Sequence, residues 1–192
     1  MAPVELAADL RVEPRQKSQP ALAMLFPGPR RKDPARYPAM VLAAVASGLA
    51  GRLFHALRER RSLAYTVLLS SWQRRGAGAL LTYIATSPER EAEAREAMLE
   101  ELARFATEPI TPEELTQAVS YLAGQAAVQR QTGSAVAAEI LDAWLVGDGL
   151  DELADPAAPF RRVTREEVLD VAARSFASGR HAEAVIRGQA AD

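Results

Sequence analysis

Only two imidazoles occur in this chain of 192 residues, His55 and His181, and it contains no cysteine. Thiolate zinc sites, iron–sulfur ligation, a disulfide framework and a cysteine nucleophile are therefore excluded. The nearest approach to a zinc helix is His55-Ala56-Leu57-Arg58-Glu59. Such a helix needs two imidazoles on one face and a carboxylate to activate water. Here Glu59 stands at the second imidazole position and Arg58 at the carboxylate position. The stretch is no metal motif, and His55 reads as a half-buried helix residue. There is no Gly-x-Ser-x-Gly elbow, no phosphate loop ending in Lys-Ser/Thr and no Gly-x-Gly-x-x-Gly, and Gly76-Ala77-Gly78 lies between two strands as turn chemistry. The acid pairs Glu100-Glu101 and Glu113-Glu114 fall on helices, where solvent or capping accounts for them. On these residues alone the isolated chain is not a complete enzyme and carries no cofactor of its own.

The elements that would position any site follow from periodicity. Residues 1–16 mix Pro3, Pro14, Glu and Arg without a clear period and read as a linker or edge segment, leaving 17–192 as a single domain. Ala21 to Phe26 is a short apolar run stopped by Pro27-Gly28-Pro29, which suits a strand buried on both faces. Asp33-Pro34 starts a helix running to Gly48, and Leu49, Leu53 and Leu57 mark a second. Leu63 to Trp72 and Ala79 to Thr86, joined by a turn of about five residues, read as a β-hairpin. Ser87-Pro88-Glu89 opens a helix with the stripe Ala94, Met98, Leu102, Phe105. Capping boxes at Thr111 and Thr164, each with glutamate three residues on, open two more; a helix through Val136 to Trp144 lies between them, and Ala182 to Arg187 is a last strand. The fold class is α+β, a small mostly antiparallel sheet with helices on one face.

Composition narrows the partners. With 48% hydrophobic and 25% charged residues the chain is globular, and its net charge of −2 does not mark a binder of nucleic acid or anionic membrane. No apolar run reaches the roughly 18–20 residues of a membrane span. Met1-Ala2-Pro3-Val4-Glu5 shows no secretory pattern. A soluble protein of the cytoplasm or periplasm is the expectation.

One stretch carries a resemblance. Ser47-Gly48-Leu49-Ala50-Gly51, then Arg52-Leu53-Phe54, then Leu57-Arg58 through Leu63-Ala64-Tyr65 resembles the second, zinc-less domain of the insulinase/pitrilysin family of metallopeptidases, of the processing-peptidase-like kind. Phe26-Pro27-Gly28-Pro29, Gly78 to Pro88, Thr111 to Leu115 and Val163 to Val168 extend the likeness over about residues 18–188. The family's glycine run is reduced here to Gly48 and Gly51. Its zinc motif, His-x-x-Glu-His, is absent, for the counterpart helix Asp33–Ser47 holds neither histidine nor glutamate.

The resemblance implies one half of a clamshell, with zinc on a homologous partner domain or subunit and a peptide substrate between the halves. Hydrolysis would belong to that other half, where zinc activates water and a glutamate serves as base. In this half, the resemblance implies substrate-binding roles for Arg58 and Tyr65, a fixed cation and a neutral donor suited to a substrate carbonyl and the oxyanion that grows from it. The plainer alternative pairs Arg58 with Glu59 or Glu93 and packs Tyr65 in the sheet. Strand parity leaves open which face Tyr65 joins. A different class of role is that of a structural or assembly subunit, as in the core proteins of mitochondrial cytochrome reductase, which share the fold.

Overall fold

The computed structural model describes residues 9–15, 19–47 and 51–188. Gly48, Leu49 and Ala50 of the Gly/Ser turn, and residues 1–8 and 16–18, lie outside these. Five strands, β1 (Leu10–Arg15), β2 (Ala21–Pro27), β3 (Thr66–Gln73), β4 (Gly78–Ala85) and β5 (Ala182–Gly188), form one sheet in the order β1-β5-β2-β4-β3. Only the β1–β5 pair is parallel; the other three are antiparallel. The α+β class and the mostly antiparallel sheet are as the sequence indicated.

Alternation decides the layers, because successive strand residues point to opposite faces. Leu22, Met24 and Phe26 of β2, Leu80 and Ile84 of β4, Val67 and Leu69 of β3, and Val185 of β5 are all buried on one face. Over that face pack α1 (Arg36–Ala46), α2 (Glu91–Phe105), α3 (Pro112–Gln129) and α6 (Arg165–Phe176). Phe26 meets Phe176 edge-on at 5.0 Å. Burying one such side chain contributes about 1.5–3 kcal/mol. The opposite face presents Ala23, Leu25, Leu68, Leu81, Tyr83 and Ala184, matched across the strands and half-buried or exposed. So β2 is packed on one face, not two, and the alanines of its other face are what a sheet without a helical cover there accommodates.

Local signals account for most boundaries. Thr111 accepts from the Glu114 N–H while Glu114 returns a bond to the Thr111 N–H, and Thr164 with Glu167 does the same at α6. The stripe Ala94, Met98, Leu102, Phe105 is buried. Three starts differ from expectation. Asp33 does not cap α1; its carboxylate accepts from the Ala35 N–H in a turn that precedes the helix. Ser87 makes no side-chain cap, and Pro88–Arg90 form a 3-10 turn before α2. The first hairpin strand begins at Thr66, since Leu63 and Ala64 are buried in the approach to it. The helix α4 (Gly133–Leu145), capped by Thr132, leaves Leu141, Trp144 and Leu145 exposed. A 3-10 turn (Leu150–Leu153) and the short α5 (Ala158–Arg161) complete the chain.

Candidate functional site

The second helix of the sequence reading is a π-helix, Phe54–Arg60. Single π turns occur disproportionately at functional sites. Leu53 and Leu57 anchor it in the core, fully buried. It ends at Arg60, and the chain then reverses at Ser62, whose φ of +52° places a non-glycine residue in the left-handed region. Ser62 N–H returns to the Arg58 carbonyl at 3.1 Å and Leu63 N–H to the Leu57 carbonyl at 2.7 Å. This resembles a Schellman closure, spaced more widely in keeping with a π turn. Arg90, itself clamped by Glu93, donates to the Ser62 carbonyl at 3.1 Å and braces the reversal.

That reversal sets Arg58 beside Tyr65. The Arg58 guanidinium lies 5.0 Å from the centre of the Phe54 ring and donates to the Tyr65 carbonyl at 3.2 Å. Stacking and that single bond hold its plane while the side chain stays exposed. Glu59 instead pairs with His55, and Glu93 with Arg90. The local acids named in the alternative reading are thus occupied elsewhere, and among the described residues no salt bridge reaches Arg58. Tyr65 donates its N–H to the Ala85 carbonyl at 2.9 Å, and the residue is 56% exposed just ahead of β3. Parity with the buried Val67 and Leu69 does not carry through to Tyr65, because the strand starts one residue later.

The surroundings also account for His55 and for the two arginines that follow Arg58 and Glu59. His55 is exposed and hydrogen-bonded through Nδ1 to Glu59 along the helix, not half-buried. Arg61 pairs with Glu100 at 2.9 Å, and Arg60 lies exposed at the helix end. A cleft of about 340 Å³ opens between the π-helix, α2 and α3, lined among others by Arg52, His55, Arg60, Glu101 and Glu114; neither Arg58 nor Tyr65 lines it. Arg52 grips Glu114 there through two bonds of 2.6 Å. Burial pushes the Glu114 carboxyl up, but Arg52 and the Thr111 N–H outweigh it and hold the group below its ordinary value. Three part-buried interactions carry no local signal and escaped the sequence reading. These are Arg36 on Glu152, Arg95 on Glu183, and the Ser47 hydroxyl on Leu69.

A zinc site does not fit the residues in hand. Among the described residues no group of three or more histidine, aspartate or glutamate side chains is placed to hold a metal ion. Also among them, no helix is long and apolar enough to cross a membrane.

The fold is an open five-stranded sheet with helices packed on one face, and the exposed Arg58 and Tyr65 stand just ahead of its β3 edge strand. The sequence model of the peptidase M16 inactive domain matches residues 2–122, more than half of the sequence, and the chain belongs to that family. No curated protein matches it in sequence. Solved structures share its fold. A peptidase M16 inactive domain from Pseudomonas fluorescens is 19% identical with a TM-score of 0.83, over 100% of this chain and 47% of that one. The inactive peptidase domain of a candidate zinc protease from Bordetella parapertussis is 19% identical with a TM-score of 0.80, over 91% of this chain and 96% of that one. A chain of Complex III2 from Candida albicans is 13% identical with a TM-score of 0.82, over 94% of this chain and 46% of that one. The chain thus spans about half the length of the first and third of these.

Proposed function

We propose that this chain is the substrate-positioning, non-catalytic half of a zinc-dependent peptidase. It holds a peptide against a zinc-bearing domain or subunit, where hydrolysis takes place. Membership in the inactive-domain family and the likeness to the Bordetella domain support the division of labour. The observation that carries the assignment of residues is the exposure of Arg58 and Tyr65 together, with Arg58 outside any salt bridge of the described residues. A guanidinium whose own fold asks only one carbonyl bond of it keeps donors for a peptide carbonyl. The phenol adds a neutral donor for charge that develops on that oxygen.

The test is kcat/KM for peptide hydrolysis by the assembled enzyme carrying Arg58→Ala or Tyr65→Phe. Loss of one oxyanion-stabilising donor commonly costs on the order of 10²–10³ in turnover, and a fall approaching that range is expected for Arg58→Ala. Unchanged kcat/KM in both variants rejects the assignment. A second reading, a structural subunit without a peptidase role, is favoured by the likeness to a chain of Complex III2. Stable partner proteins that co-purify without a zinc-bearing half would support it.

A further inference from the structure

The sheet has two edges, and each is protected differently. The β1 edge carries Arg11, Glu13, Pro14 and Arg15, charges and a proline of the kind that prevent another strand from adding. The β3 edge has neither. Thr66-Val67-Leu68-Leu69-Ser70-Ser71-Trp72-Gln73 is uncharged and free of proline, a composition prone to pair with copies of itself.

Among the described residues, what meets this edge is Ser47, just past the C-terminal end of α1. Its hydroxyl donates to the Leu69 carbonyl at 2.8 Å and accepts from the Leu69 N–H at 2.7 Å. In an antiparallel ladder every second residue turns both backbone polar groups away from its partner strand. Leu69 gives both to Ser47, so Val67, Leu69, Ser71 and Gln73 form the outward set. A single hydroxyl therefore stands where the N–H and C=O of a neighbouring strand would stand. Gly51 keeps the chain seated there. A Cβ on Gly51 would come within 2.4 Å of the Ser47 carbonyl oxygen and 2.6 Å of that of Ala46, an approach only glycine permits.

We infer that Ser47 is an edge guard, whose hydroxyl closes the outer edge of β3 against antiparallel pairing with β3 of a second copy of this chain. Two identical strands paired in this way are related by a two-fold axis. No like charges oppose one another in such a pair, because β3 has none.

The test is sedimentation equilibrium of the full chain and its variants, with far-UV circular dichroism to follow folding. Ser47→Ala removes the hydroxyl and Gly51→Ala displaces it. Both are expected to strengthen self-association about tenfold or more over the unaltered chain, as two freed ladder groups find partners. Ser47→Thr keeps the hydroxyl and leaves association unchanged. Ser70→Lys added to Ser47→Ala sets like charges along the new strand pair and abolishes the gain. A folded Ser47→Ala chain with unaltered association overturns the inference, as does association that survives Ser70→Lys. A Ser47→Ala chain that unfolds also overturns it, because a guard is dispensable to the fold of a single copy.

Discussion

Arg58 and Tyr65 meet because Ser62 reverses the chain between them, and that reversal is strained. A non-glycine residue in the left-handed region costs about 1 kcal/mol or more. Ser62→Gly is expected to stabilise the domain by about 0.5–1 kcal/mol, whereas Ser62→Val, which tolerates this region poorly, destabilises it by more than about 1 kcal/mol. Urea unfolding midpoints check both. Glu114 sets a pH dependence. Its folded pKa lies below its ordinary value, so its stabilisation is full above the usual glutamate range, about 4.3, and is lost as pH falls through the lowered folded value. The stability gap between the unaltered chain and Glu114→Gln is therefore expected to narrow between pH 7 and pH 3 in urea titrations. A gap that holds constant would show that the Arg52–Glu114 pair contributes nothing through charge.

At the scale of elements, the turn between β2 and α1 is tied to the segment after α4 by charge. Arg31 and Arg36 each reach Glu152 at 2.8 Å, and the Arg36 residue is only 5% exposed. Glu152→Ala leaves that buried guanidinium without its main carboxylate, and a loss of about 3 kcal/mol is expected in chemical denaturation. Gly147→Ala acts on the same place, since its Cβ would fall 2.0 Å from Glu152 Oε1 and 2.8 Å from the Ala143 carbonyl; about 1–3 kcal/mol is expected from the displacement. This clasp also marks the limit of what the sequence discloses. The capping boxes of α3 and α6 were legible because cap and partner lie three residues apart. So was the buried stripe of α2, a matter of period alone. Glu152 lies 116 residues from Arg36, and Ser47 lies 22 from Leu69, so only the folded chain pairs them. Periodicity likewise misjudged β2, because an apolar alternation of large residues with alanine looks continuous until one face proves uncovered. The Arg58–Tyr65 neighbourhood was approachable through a short, turn-separated spacing, but the π geometry, the left-handed Ser62 and the bond to the Tyr65 carbonyl have no sequence signature.

At the scale of the whole molecule, all the packed helices lie on one face of the sheet, and the site sits at the end of an edge strand. Under the proposed function, this rim would grip the peptide and another body would close over it. Two consequences can be measured. The isolated chain is expected to bind no stoichiometric zinc by metal analysis, in line with the donor set among its described residues. The more direct measurement is peptide hydrolysis by the zinc-bearing half, assayed alone, with this chain, and with its Arg58→Ala variant. Hydrolysis should rise sharply when the chain is added and fall back when Arg58 is lost, with the variant still assembling. Full activity of the zinc-bearing half by itself, or equal activation by the variant, would contradict the proposal that this domain positions the peptide.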